Sequence, residues 1–229
     1  MTPPVIMLTL NDKTLSDASP VFEQIRQSKI SCFGFKDIGL PWDQMEKLAQ
    51  EIRGAGKTLF FEIVSSSLEE TLQGAQRALR LKADYLIGGK FVKQVLPVVK
   101  NQKIKYFPYV GDIVGHPCCL EGAVEEMLNE ALEYAQWGVD GINLLAYRHS
   151  SMAQELIQYI TEECSLPLLV AGSVNSQDQI SFLEKYNVEF FTMGSALFQK
   201  ELVTDASLKE QVAALESFCG LVNGSSKSV

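Results

Sequence analysis

Lys36 and Glu62 are the residues best placed to do chemistry. Each is a charged side chain inside an otherwise apolar run, SCFGFKD over residues 31–37 and TLFFEIV over residues 58–64. A buried charge is costly unless it is paired. Alternation along an extended chain puts Cys32, Gly34 and Lys36 on one face of the first run. It puts Phe60, Glu62 and Val64 on one face of the second. Gly34 suits a crowded interior and the phenylalanines suit a helix layer, so Lys36 is expected to point inward and meet Glu62. Such a pair can simply fill space. In an enzyme the carboxylate serves as general base and the ammonium stabilises an enolate or carboxylate.

Further candidates follow the other apolar runs. GDIVGHPCC, residues 111–119, gathers Asp112, His116 and two adjacent cysteines in an unusually long loop, and long loops tend to carry function. Asp112 and His116 join the catalytic set, because an imidazole titrates near neutrality. A zinc site from Asp112, His116 and Cys118 has a spacing that matches no standard ligand pattern. Lys90, Asn143 and Arg148 are expected to bind substrate. Lys90 is also capable of a Schiff base if desolvated, although an ordinary helix-leading lysine has the same look. Arg148 is suited to clamp a carboxylate or second phosphate. Tyr147 is the aromatic to watch at the pocket.

A second constellation is a pair of turns, Ala171-Gly172-Ser173-Val174 and Met193-Gly194-Ser195-Ala196. Glycine lets backbone N–H groups approach phosphate oxygens, and a following helix adds a favourable dipole. Gly172, Ser173, Gly194 and Ser195 are therefore read as a phosphate cradle. Two such turns count for more than one, since glycine is common wherever a strand turns into a helix.

These residues need elements to hold them. Eight short apolar runs alternate with amphipathic segments: residues 4–10, 31–37, 58–64, 84–89, 105–111, 141–147, 167–173 and 189–195. Near-continuous apolarity means burial on both faces, as in a parallel sheet. Between them, Val124, Met127, Leu128, Ala131, Leu132 and Ala135 recur at helical spacing. Ser67 opens one helix and Ser176 with Gln179 forms a capping box for another. Gly54 to Lys57 and the stretch to Gly141 read as helix ends. The fold class expected is a single (β/α)8 TIM barrel over residues 1–222, with a flexible tail over 223–229. The turn after the first run lacks the GxGxxG of an open dinucleotide-binding sheet. Active sites of such barrels sit at the C-terminal strand ends, and phosphate sits after strands seven and eight, where both turns fall.

Composition narrows the partners. The 229 residues carry a net charge of −8 and no basic run, which counts against nucleic acid. No apolar run reaches the roughly 20 residues of a helical membrane span, and no secretory signal pattern opens the chain. Five cysteines, odd in number and without CxxC spacing, suit reduced thiols and a cytoplasmic protein. The expected partner is a small phosphorylated metabolite. No cofactor is called for, a divalent metal stays open, and so does a homodimer.

VAGSVNSQDQI followed by FFTMGSALF resembles the closing segment of the phosphate-binding barrel superfamily. That group includes the histidine-biosynthesis isomerases, N-acetylmannosamine-6-phosphate 2-epimerase, ribulose-phosphate 3-epimerase and the tryptophan-pathway barrels. Their usual version is AGG or SGG, so Ser173 stands where a second glycine often does. The motif covers the last quarter of the chain. The resemblance implies the fold and a phosphorylated ligand rather than one reaction. The run FKDIGLPWDQMEKLAQEIRGAGKTLFFEIV is more faintly similar to the glycerol-3-phosphate-responsive antiterminators, barrels that bind a sugar-alcohol phosphate and act on RNA.

Two functions remain open at this level. One is an enzyme working through an enolate-like intermediate: an isomerase, epimerase, aldolase or decarboxylase. Set against those families, the lack of a lysine ending strand six departs from the Schiff-base aldolases, and Glu62-Ile63-Val64 departs from the DxK of orotidine-phosphate decarboxylases. The other is a non-catalytic sensor of a phosphorylated metabolite. Convergence of Lys36, Glu62, Asp112 and Arg148 favours the enzyme; a basic surface patch favours the sensor.

Overall fold

The computed structural model describes residues 1–115, 117–149 and 152–221. All eight expected strands form, each shorter than its apolar run: β1 (Pro4–Met7), β2 (Cys32–Lys36), β3 (Thr58–Ile63), β4 (Tyr85–Gly88), β5 (Lys105–Phe107), β6 (Ile142–Leu144), β7 (Leu168–Val170) and β8 (Phe190–Met193). They pair in parallel in the order β6-β7-β8-β1-β2-β3-β4-β5. The ring nearly closes between β5 and β6. There a single bridge joins Tyr109 and Asn143, flanked by Val110 N donating to Asn143 O at 3.1 Å. The chain is one (β/α)8 TIM barrel. The expected tail, 223–229, lies outside the described residues.

Helices alternate with the strands: α1 (Ala18–Ile25), α2 (Trp42–Gly54), α3 (Leu68–Leu81), α4 (Val92–Val99), α5 (Val124–Trp137), α6 (Ala153–Glu163), α7 (Gln177–Lys185), a single turn α8 (Ser195–Phe198), and α9 (Leu208–Phe218). The Ser67 hydroxyl caps α3 by accepting from Glu70 N at 3.2 Å, and Ser176 caps α7 by accepting from Gln179 N at 3.3 Å. Gly138 ends α5 at φ +85°, a left-handed cap that costs glycine nothing. No helix among the described residues is long and apolar enough to cross a membrane.

The lower barrel is filled by aromatic rings. Phe60 stacks on Tyr85 at 4.3 Å between centroids, and Phe190 meets both edge-on. Phe60 and Glu62 share a strand face, so the same face that packs rings below carries the carboxylate above. Gly34 is needed in this interior. A Cβ there would stand 2.6 Å from Met7 Sδ and 2.9 Å from Phe60 O.

Three features depart from the expected pattern. Thr9–Leu10 and Lys13–Thr14 pair antiparallel as a small hairpin arm after β1. Asp112–Val114 and Cys119–Glu121 form a second hairpin within the long loop. The sixth strand ends early, and Ala146–Arg148 make one turn of 3₁₀ helix.

Candidate active site

The cavity at the C-terminal strand ends has a volume of about 370 Å³. One side is the pair of glycine turns. Gly172 (φ +75°) and Ser173 (φ +58°) are both left-handed, so a conformation that favours glycine is imposed here on serine. Gly194 precedes α8, whose first amide N–H groups have no partner inside the helix. A Cβ on Gly194 would lie 2.7 Å from Thr9 Oγ1, so glycine lets the arm approach this turn. Asn11 N at the arm's tip donates to Ser195 Oγ at 3.3 Å.

The opposite side is a network of charges. Lys36 faces Gly34's side of β2 and pairs with Glu62 Oε2 at 3.4 Å. β2 and β3 set Lys36 opposite Glu62 in register, which brings the two together. The Tyr109 hydroxyl donates to the other oxygen, Glu62 Oε1. Lys36 Nζ also donates to Asp12 Oδ1 at 2.9 Å. Arg148 grips the same carboxylate bidentately, Nη1 to Oδ2 at 2.6 Å and Nη2 to Oδ1 at 3.0 Å. The Cys118 amide completes it at 2.9 Å. The Lys36, Asp12 and Glu62 side chains are 7, 4 and 3% exposed.

Electrostatics follow from this geometry. Burial works against the Asp12 carboxylate, but the Arg148 guanidinium and the Lys36 ammonium outweigh it and hold its pKa well below the usual range. Burial likewise disfavours the Lys36 ammonium, and the Glu62 and Asp12 carboxylates raise its pKa above ordinary lysine. Burial and the Glu62 carboxylate keep the Tyr109 phenol protonated. Burial, with Asp12 adding to it, pushes the Cys118 thiol up, so it rests neutral. The Tyr147 hydroxyl is buried without a hydrogen-bond partner among the described residues, and its pKa is pushed up to about 12 by burial. The residue lines the cavity.

The predicted residues divide into two groups. Lys36, Glu62, Arg148, Gly172, Ser173, Gly194 and Ser195 all line the cavity. Asp112, Lys90 and Asn143 are absent from its described lining. Asp112 is exposed in the second hairpin, paired across it with Glu121. Lys90 bonds Gly111 O and Glu130 Oε1, both at 2.7 Å, because the α5 carboxylate reaches it behind the strand ends. Asn143 is fully buried in the barrel beside Tyr109, with neither side-chain heteroatom bonded. His116 lies outside the described residues. Among those described, no three His, Cys, Asp or Glu side chains gather as metal ligands.

Sequence reasoning missed Asp12 and Tyr109. Asp12 follows Asn11 in the two-residue turn of the arm, both with positive φ (+49° and +59°). Asn and Asp tolerate that conformation best after glycine, and a two-residue turn between short extended runs is a hairpin signal. The string Thr9-Leu10-Asn11-Asp12-Lys13-Thr14 carries it. Tyr109 could be found by extending the alternation of β5 from Lys105 and Phe107.

With the geometry in place, comparison with solved structures is informative about fold. Orotidine 5′-phosphate decarboxylase from Pyrococcus horikoshii OT3 matches at TM-score 0.69 and 14% identity, covering 95% of this chain and 99% of its own. N-(5′-phosphoribosyl)anthranilate isomerase from Pyrococcus furiosus matches at TM-score 0.65 and 12% identity, covering 97 and 100%. N-acetylmannosamine-6-phosphate 2-epimerase from Clostridium perfringens matches at TM-score 0.63 and 10% identity, covering 96 and 93%. The likeness to these structural neighbours covers 95–97% of this chain. It is a likeness of fold. No family model matches the sequence, and no curated protein does.

Proposed function

We propose that this chain is an enzyme acting on a small monophosphorylated metabolite through an enolate-like intermediate, as an isomerase, epimerase or C–C lyase. The observation that carries the reading is the convergence of Lys36, Glu62, Asp12 and Arg148 across one cavity from the Gly172 and Gly194 turns. The first three are buried and paired, which costs desolvation and suits a preorganised site. Asp12 takes the place expected for Asp112. The phosphate is held by the glycine turns, with Ser173 and Ser195 as added donors. Lys36 faces the developing enolate oxygen, and a neighbouring carboxylate takes the proton from carbon.

Charge narrows the substrate. The described residues lining the cavity carry two cations, Lys36 and Arg148, and three carboxylates, Asp12, Glu62 and Glu201. Both cations are already paired with carboxylates. A substrate carboxylate or second phosphate would find no free cation, so the remainder beyond the phosphate is taken to be uncharged: hydroxyls and a carbonyl. One neighbour, the epimerase, is named for a phosphorylated compound of this class, N-acetylmannosamine 6-phosphate.

A thermal-shift screen tests both parts. A ligand that binds only the native state at 100 times its Kd adds about 2.7 kcal/mol, on the order of 5–10 °C for a domain of this size. Uncharged-tail monophosphates, such as pentose and hexose phosphates, are expected to shift the transition, and phosphorylated carboxylic acids are not. No shift with any phosphorylated compound would sink the ligand class. A shift without turnover or solvent-proton exchange at the bound compound would instead favour a sensor.

A further inference from the structure

Arg148 stands between the two halves of the site and belongs to both. Its guanidinium holds Asp12 with two bonds and reaches Cys118 O at 3.1 Å. The same side chain runs directly over the cradle. A Cβ on Gly172 would lie 2.4 Å from Arg148 Nε and 2.8 Å from its Cδ. Nε bonds no group among the described residues. Arg148 thus rests against the backbone where phosphate is expected, while both of its terminal nitrogens are committed to a carboxylate.

Asp12 is saturated in this state. Oδ1 accepts from Lys36 and Arg148, and Oδ2 accepts from Arg148 and the Cys118 amide. A carboxylate has about four acceptor positions, and all are used. Such a group is a poor base. Glu62 is engaged at both oxygens as well, by Tyr109 and Lys36. In the resting site Asp12 is therefore unavailable as the base that the chemistry proposed above requires.

A phosphate dianion changes that balance. It carries more charge than a carboxylate and accepts the same two-pronged guanidinium geometry. We propose that Arg148 is a shared cation: bound phosphate draws it from Asp12, and the released carboxylate becomes the base of the reaction. This rests on the phosphate-substrate reading above. Loss of the guanidinium frees one acceptor position on each Asp12 oxygen. Lys36, the Tyr109 phenol and the Cys118 thiol remain the titratable groups facing it. Removing a nearby cation favours the protonated form, and so does burial. The substrate C–H bond then breaks beside the carbonyl. Its proton passes to Asp12, and its electron pair moves into the enolate, whose oxygen faces Lys36. Delivery of a proton to the opposite face of that carbon completes an epimerisation; delivery to its neighbour, with the adjacent hydroxyl's proton passing to the enolate oxygen, completes an isomerisation, and nothing is oxidised or reduced overall. The design also prevents the base from acting before the phosphate is seated.

The test uses the full chain and inorganic phosphate as the probe, titrated by calorimetry at fixed pH and salt. In Asp12→Asn the cation no longer has to be withdrawn, so phosphate is expected to bind about ten-fold more tightly or better, within the usual range of site–site coupling. Glu62→Gln removes the same charge from the same cavity without touching Arg148. It is expected to gain less than about three-fold, below the usual range of such coupling. Arg148→Lys should abolish the gain of Asp12→Asn. Equal gains in Asp12→Asn and Glu62→Gln would reduce the effect to bulk charge and overturn the shared cation while leaving the phosphate site standing. Folded wild-type and Asp12→Asn proteins that both fail to bind phosphate would overturn the phosphate reading and this inference together. If Asp12→Asn does not fold, wild-type protein labelled at the arginine Nη nitrogens gives the same answer. The Arg148 resonances should move on phosphate addition, and resonances unchanged at saturation would overturn the proposal.

Discussion

Lys36→Met isolates the most consequential contact in the barrel. The ammonium is buried between two carboxylates, at 2.9 Å from Asp12 and 3.4 Å from Glu62. Methionine keeps the length and much of the volume, so packing changes little. The two carboxylates then fare differently. Asp12 keeps Arg148 and the Cys118 amide. Glu62 keeps only the Tyr109 hydroxyl. The cost therefore falls on Glu62, as an uncompensated charge 3% exposed. Breaking a buried pair from one side costs about 3–5 kcal/mol. Removing both charges together, as in Lys36→Met with Glu62→Gln, is expected to recover about 2–3 kcal/mol of that, because the stranded charge is gone. Lys36→Met with Asp12→Asn should recover less than about 1 kcal/mol, since Arg148 already served Asp12 and is itself left unpaired. Urea unfolding of the four proteins of each cycle gives the coupling energies by linear extrapolation. If Lys36→Met costs less than about 1 kcal/mol, or if Asp12→Asn rescues it better than Glu62→Gln, the division of labour described here is wrong.

Two further substitutions probe the frame around the site. Gly34→Ala places a methyl group 2.9 Å from Phe60 O, which cannot move aside, and 2.6 Å from Met7 Sδ, which can; overpacking of this kind is expected to cost about 3 kcal/mol, and calorimetry showing less than about 1 kcal/mol would mean a looser interior. Asp37 is buried and accepts from Val64 N at 3.1 Å and Ser65 Oγ at 2.8 Å, yet burial outweighs these bonds and raises its pKa. A raised folded-state pKa means that its contribution is complete below the unfolded value near 3.9 and is lost as pH rises through the folded one. Asp37→Asn can accept from Val64 and donate to Ser65 without a charge, so it should equal or exceed wild type at pH 7 by on the order of 1 kcal/mol, with the gap closing toward pH 4. A variant clearly less stable than wild type at pH 7 in urea unfolding would show that the carboxylate is worth more charged than its burial costs.

Repetition made the barrel legible in the sequence. Eight apolar runs of strand length, separated by helical stripes, leave few architectures that bury both faces of a parallel sheet. The inward direction of Lys36 and Glu62 was legible for the same reason. Alternation is a property of the strand itself, and Gly34 marks the crowded face. What lay outside the strands was harder. Asp112, in the long loop, follows the last residues of its strand, but the backbone turns at Gly111 (φ +83°) and enters a hairpin. Period-two reasoning stops at such a turn. Lys90 was misdirected by a partner 40 residues away, Glu130, which no local pattern reveals.

Asp12 shows most clearly where the chemistry of this fold is decided. The glycine turns after β7 and β8 occupy the position at which such barrels commonly bind phosphate, so their presence says little about what happens to the rest of a substrate. Neighbours at 10–14% identity share the frame and differ almost everywhere else. In this chain the arm after β1 spans the whole cavity. Asn11 touches Ser195 on the side of the glycine turns, and Asp12 holds Lys36 and Arg148 on the other. Thr14 ties the arm to β2 by bonding both N and O of Lys36 at 2.9 Å. A left-handed two-residue turn without glycine costs about 1 kcal/mol or more at each residue. That strain is maintained by Asn11 at the β8 turn, by Thr14 on β2 and by Asp12 in the charged network. The arm is therefore the element that joins the two halves of this site.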